Sequence, residues 1–241
     1  MTSYKSCAEL QDLAKCKLER NYGIAIFTML TVGMINLSAS SLLEQLLSGN
    51  TFSQYLLFLL IDFALTAFLS IFETGICLFF LNMACGQPYK ADHLFYGFQN
   101  NAKASFTVAA ATTFVTFLSV LPFNALRYIY WMTNDLNYMK LALLAYPIGF
   151  LVMYPIQLAL SQSFYLLVDF PDYTGKQALL ASVKLMKKHM GRFFLLQLKF
   201  LPLMLLCVFT FFIGFLWLIP YMKMTYTVFF LDIMKTSEPT S

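Results

Sequence analysis

Residues 193–234 constrain this chain more than any other stretch. Over 42 residues the only charged or amide side chains are Gln197, Lys199, Lys223 and Asp232. At a rise of 1.5 Å per residue a single helix would be about 63 Å long, twice a hydrocarbon core of about 30 Å. The run therefore has to turn. The sequence favours a hairpin with its turn at Thr210 to Gly214, leaving spans at 193–210 and 214–234. A single helix broken at Pro220 and followed by an interfacial piece is the alternative.

Four further apolar runs precede it, at about 22–43, 55–84, 104–130 and 141–168. They are continuous rather than alternating, which fits helices and not the strands of a barrel. Only 12% of the 241 residues are charged, about half of what soluble domains carry. The expected fold is all-α: a single polytopic membrane domain, residues 22–235, of about six transmembrane helices with short cytoplasmic amphipathic helices. An amphipathic helix at 1–21 and a polar tail at 236–241 flank it. The segment before residue 22 is too long and too helical for the n-region of a signal peptide.

Charge placement orients the spans. With the N-terminus inside, inner segments hold 12 of the 16 Lys and Arg residues. Only Arg127 and Lys140 fall outside, while Lys199 and Lys223 lie within spans. The positive-inside bias predicts cytoplasmic termini at both ends. It also accounts for the net charge of +4, so no nucleic-acid partner is implied. Tyr128, Tyr130 and Trp131 read as an interfacial aromatic belt, and Pro147 and Pro155 as kinks in the fourth span.

Three polar segments precede odd-numbered spans. In 6–20, Ser6 and Glu9 have capping-box spacing, and Cys7, Leu10, Ala14 and Leu18 share a face. In 91–103, Leu94, Phe95 and Phe98 form the apolar side. The third, 174–190, opens with a Thr174–Gln177 capping box and reaches a C-terminal cap at Gly191. There Leu179, Val183, Met186 and Met190 fall on one face, beside Lys176, Lys184, Lys187 and Lys188, with Arg192 just beyond. An apolar stripe next to a basic one suits a helix on anionic headgroups. A plain cytosolic connector explains it too. The recurring order of surface helix, span, span has a period of about 85 residues. It reads either as duplication or as what re-entry from the positive side requires.

No catalytic constellation stands out. The five cysteines, Cys7, Cys16, Cys77, Cys85 and Cys207, match neither a disulfide framework nor a metal motif. His93 and His189 are far apart in polar loops. No paired carboxylates, His-rich set or Ser/His/Asp arrangement sits near an interface, and no cofactor is expected. Four ionisable residues fall inside spans: Asp62, Glu73, Lys199 and Lys223. Such charges usually face the bundle and pair. Asp62 and Glu73, three turns apart, share a face of one helix, and Glu73 is expected to pair with Lys199 or Lys223. Gln157 with Ser161, and Asn36 with Ser40, read as interhelical hydrogen bonding.

One resemblance runs through most of the chain. It is carried by Glu9-Leu10 through Leu18 before Asn21-Tyr22, then Leu94-Phe95 with Gly97-Phe98, then Asp169-Phe170-Pro171. It continues in Ala178-Leu179, Ser182 and Leu185-Met186, and in Trp217, Pro220-Tyr221 and Phe229. In this order and spacing, from about Ser6 to Asp232, the chain resembles the uncharacterised bacterial integral membrane proteins grouped as domain of unknown function 975. The resemblance implies a multi-helix protein of the bacterial cytoplasmic membrane with no assigned activity and no catalytic residues. The chain departs from the family where Lys187-Lys188-His189 replaces an expected glycine, which predicts a longer surface helix.

The function expected is that of a non-enzymatic accessory subunit that binds a membrane-protein partner in the bilayer. The alternative is a transporter or channel for an ion or small solute, using Asp62, Glu73, Lys199 and Lys223. A lipid-modifying enzyme is the third class.

Overall fold

The structure, a computed structural model, describes residues 4–47 and 51–237. It is helical, with no strand among the described residues. Helices α1 (Cys7–Leu18), α2 (Tyr22–Leu47), α3 (Phe52–Leu69) and α4 (Phe72–Cys85) come first. A 3-10 turn (Ala91–Phe95) and the single-turn α5 (Tyr96–Gln99) lead to α6 (Ala102–Thr133) and α7 (Leu136–Leu160). Then come α8 (Ser163–Asp169), α9 (Gly175–Met186), α10 (Met190–Leu198), α11 (Leu201–Phe209) and α12 (Phe215–Ser237).

Five helical segments are long and apolar enough to cross a membrane: Tyr22–Leu47, Phe52–Cys85, Ala102–Thr133, Leu136–Asp169 and Met190–Phe209. The sixth expected span, α12, is not among them. It carries Lys223, Asp232 and Lys235, and from Met224 to Ile233 it is almost wholly buried. Neighbouring helices, rather than lipid, meet its polar groups, so it does not need the hydropathy of a lipid-facing span.

The 193–234 run does form a hairpin. α11 stops at Phe209, and Phe211 and Phe212 take positive φ of 51° and 67°. Thr210 Oγ1 accepts from Gly214 N at 3.1 Å and donates to Cys207 O at 3.0 Å, closing the turn.

Three of the five segments are interrupted. α3 and α4 part at Ser70–Ile71, α7 and α8 at Ser161–Gln162, and α10 and α11 at Lys199–Phe200. Pro202, in the first turn of α11, has no N–H to continue the helix. At the other two breaks a serine bonds back to its own helix: Ser70 Oγ to Thr66 O at 2.7 Å and Ser161 Oγ to Leu158 O at 2.8 Å. Such back-bonding competes with the regular ladder and bends helices. Neither Pro147 nor Pro155 interrupts its helix; α7 runs through both.

Packing divides the molecule into two layers. The largest fully buried side chains are Leu10, Leu18, Ile76, Phe79, Phe80, Met186, Phe193, Leu196, Phe200, Met224, Phe229 and Phe230. They belong to α1, α4, α9, α10 and α12 from Met224 onward, or to the break after α10. The exposed large apolar side chains fall almost entirely in 27–68, 106–156 and 194–219. One layer is a dense knot of short helices; the other is a set of long helices with apolar surfaces.

The three surface segments differ in kind. α1 has the expected capping box, and Leu10, Ala14 and Leu18 are buried against α12 and its neighbours. Residues 91–103 are not one helix; Phe95 is exposed while Leu94 is buried, and α6 begins at Ala102. α9 has the expected Thr174–Gln177 capping box but ends at Met186, so Gly191 lies inside α10 instead of capping α9. It is not lengthened by Lys187-Lys188-His189, which form the turn into α10. The polar tail expected at 236–241 falls outside the described residues from 238 onward.

Candidate functional site

The break at Ser70–Ile71 places Glu73 in the first turn of α4. Bonds from Ile71 N to Phe68 O, Glu73 N to Ser70 O and Thr74 N to Ile71 O tighten the chain there. Two glycines let the 91–99 segment press onto this point. A Cβ on Gly75 would lie 2.3 Å from Leu94 O, and one on Gly97 would lie 2.7 Å from Ile71 O. No other residue fits either position without displacing backbone.

α12 runs beside α4 in the same direction, so residues four apart on each helix align. Lys223 Nζ donates to Glu73 Oε2 at 2.6 Å. One turn on, Thr227 Oγ1 donates to Lys223 O at 2.9 Å and lies 3.0 Å from Tyr165 Oη of α8. The Tyr165 ring stacks on Phe230 at 5.2 Å, and buried Cys77 meets the Tyr165 hydroxyl. A charged pair thus heads a row of polar groups between α4, α8 and α12. The Lys223 and Glu73 side chains retain 26% and 38% of their accessibility, so the pair is reachable.

Of the four ionisable residues expected to cluster, the structure joins only Glu73 and Lys223. Lys199 is exposed at the α10–α11 break, with no ion pair among the described residues. Its long stem lets the ammonium snorkel. Asp62 is half-buried in α3 and likewise has no ion pair. Asp62 and Glu73 fall on separate helices, α3 and α4, with the Ser70–Ile71 break between them.

A groove of about 340 Å³ opens beside the pair. Met29, Gly33 and Leu37 of α2 line one wall and Phe215, Ile219 and Pro220 of α12 the other, with Glu73 and Ile76 at its floor. Asn36 also lines it, but its amide bonds Val32 O of its own helix at 2.9 Å, not another helix as expected.

The basic segment divides. Lys176, Lys184, Lys187 and Lys188 are exposed. Arg192 is not part of that surface: its guanidinium bonds Asp232 Oδ2 and Lys5 O, each at 2.5 Å, and lies 5.2 Å from the rings of Tyr4 and Phe229. Burial, then the Arg192 charge, hold the neighbouring His189 imidazole below its ordinary value. The buried face of α9 is Gly175, Ala178, Ser182 and Met186, not the Leu179–Val183–Met186–Met190 stripe expected. Small residues let its backbone come close. Ser182 Oγ donates to Ala159 O at 2.7 Å and accepts from Gln162 N at 3.2 Å, so α9 plugs the α7–α8 break. Leu180, 71% exposed, and Val183 are left outside among the lysines.

The Cys77–Tyr165–Thr227 row and the Ser182 plug escaped sequence reasoning. The steps of four from Glu73 to Cys77 and from Lys223 to Thr227 were the available signal. Their meeting depends on the parallel packing of α4 and α12. Among the described residues no group of three or more His, Cys, Asp or Glu side chains is placed to hold a metal.

No curated protein and no solved structure matches the chain. A family model described as "Protein of unknown function (DUF975)" matches residues 1–237. With that match spanning nearly the whole chain, this membrane-embedded helical protein belongs to the DUF975 family.

Proposed function

We propose that the protein is a non-enzymatic accessory subunit of the bacterial cytoplasmic membrane, with both termini in the cytoplasm, that docks on a partner membrane protein. The charge bias of its loops supports the orientation. Lys176, Lys184, Lys187 and Lys188, with exposed Leu180 and Val183 between them, support contact of α9 with anionic headgroups.

One observation carries the docking role: Asp62. It is an acidic residue in an apolar span, half-buried and without an ion pair among the described residues. A charge in mid-bilayer costs about 2.5–3.5 kcal/mol on insertion scales. Aspartate is too short to snorkel, whereas Lys199 is not. A partner helix carrying one basic residue offsets the cost. Broad exposed apolar surfaces on α2, α3 and α7 offer it contact area.

The test is site-specific photo-cross-linking in native membranes from Leu60 and Ile61, beside Asp62, and from Leu144 on α7. The expected result is a protein adduct from the Asp62 side that Asp62→Asn weakens and whose peptide contains a basic residue within an apolar span. Adducts insensitive to Asp62→Asn refute the reading.

The broken second span favours transport as a second reading, since interrupted helices supply ion and substrate sites in transporters. A flux in proteoliposomes of the protein alone, abolished by Asp62→Asn or Glu73→Gln, would establish it in place of docking.

A further inference from the structure

The groove lies between α2 and α12, and Glu73, the partner of Lys223, lines it. On α2 its lining extends from Ile26 to Leu37, about 17 Å at 1.5 Å per residue. One leaflet of a hydrocarbon core of about 30 Å is about 15 Å deep. The α2 wall therefore has about the length of a single leaflet, while the α12 wall, Phe215 to Pro220, covers about 8 Å of it. Its volume, about 340 Å³, lies at the low end of small-ligand sites, about 300–1,000 Å³. A helix of that length, about 10 Å across, would displace roughly 1,300 Å³, so a partner helix does not fit inside.

The two ends of the groove differ in chemistry. Leu37 and Phe215 form the far end. At the other end lie Ile219 and Pro220, and Lys223 follows one turn further along α12. There Glu73 and Lys223 face each other at 2.6 Å, both partly accessible. The pair offers one carboxylate acceptor and one ammonium donor side by side. The complementary ligand carries a phosphate for Lys223 and a hydrogen-bonding ammonium for Glu73, above an apolar tail for the groove. An anionic headgroup satisfies only Lys223. A trimethylated ammonium has no N–H for the carboxylate to accept.

We propose that the groove is a binding site for one acyl chain of a primary-amine phospholipid from the leaflet on the α1 side, its headgroup held by Glu73 and Lys223. The inference is independent of the Asp62 docking surface.

Gly33 allows a clean test. It lines the groove, and a Cβ there meets nothing within 4 Å. Gly33→Leu thus fills the groove from the α2 wall while leaving both charges of the pair in the chain. The probe is native mass spectrometry of the detergent-purified full chain with added phosphatidylethanolamine, phosphatidylcholine or phosphatidylglycerol of identical chains. The expected result is one retained phosphatidylethanolamine, bound at least fivefold more than the other two lipids. Glu73→Gln should erase that preference, and Gly33→Leu should abolish retention with the melting temperature kept.

Equal retention of all three lipids would overturn the headgroup assignment. Full retention in Gly33→Leu would put the lipid elsewhere and overturn the site. A dimer that Gly33→Leu dissociates would give the groove to a second copy, also overturning the proposal. Should Gly33→Leu fail to fold, Ile219→Phe fills the groove from the opposite wall and is read in the same way.

Discussion

α11 and α12 come from one apolar run and end in opposite surroundings. In α11 nearly every large side chain is exposed; Phe209 is 81% accessible. In α12 the stretch from Met224 to Ile233 is almost wholly buried, and it includes Thr225 and Thr227. The more polar half of the run is the interior half. In water the reverse would hold. In a bilayer, lipid is as apolar as leucine, so exposure carries no hydrophobic penalty and polar groups need protein partners. Thr225 Oγ1 and Thr227 Oγ1 find them in Tyr221 O and Lys223 O. The same contrast separates the dense layer of short helices from the long helices of the other layer.

The comparison breaks most easily at two phenylalanines. Phe229 is fully buried, 4.9 Å from the Phe193 ring and under the Arg192 guanidinium. Phe229→Ala should cost about 3–5 kcal/mol, the range for emptying a packed aromatic site. Phe209→Ala, on the lipid-facing side, should stay within about 0.5 kcal/mol. Chemical or thermal unfolding in detergent measures both. Equal losses would mean that the two layers are not energetically distinct.

A smaller effect sharpens the comparison at the seam. Ser182 supplies both a donor and an acceptor where α7 gives way to α8. Ser182→Ala should leave Ala159 O and Gln162 N unsatisfied in a buried place, a loss of about 1–3 kcal/mol. Faster amide exchange at Gln162 should accompany it. An unchanged exchange rate would show that α9 covers the break without holding it.

How much of this was legible depends on which physics set each feature. The hairpin at Thr210 to Gly214 was legible because length alone forbids one helix. The caps at Ser6 and Thr174 were legible because they are local. The helix breaks at Ser70–Ile71 and Ser161–Gln162 were not, since a serine's back-bonding matters only when another element covers the freed groups. The face of α9 was misread for a related reason. Periodicity ranks Leu179 and Val183 as core, but close approach selects Gly175, Ala178 and Ser182. Glu73 and Lys223 were legible as charges in spans and as partners, while the break that puts Asp62 and Glu73 on separate helices was not. Arg192 looked like a surface cation until Asp232, forty residues away, closed on it.

The smallest effect belongs to His189, at the edge of the dense layer, its ring 5.0 Å from that of Tyr4. Burial lowers its affinity for a proton, and the Arg192 and Lys188 charges act in the same direction, while Asp232 opposes them. The folded chain therefore binds this proton less readily than the unfolded chain does. Stability linked to His189 is complete above the ordinary value of 6.5 and is lost as pH falls through the lower folded value. The melting temperature in detergent should drop between pH 7.5 and 5.5, and His189→Gln should flatten part of that slope. The residue is only partly buried, so solvent screening keeps the change modest. An increase in melting temperature on acidification that His189→Gln removes would mean that Asp232 outweighs burial and Arg192. The Arg192–Asp232 pair would then leave enough free carboxylate charge to hold an imidazolium, and the dense layer would be more open at this edge than its packing indicates.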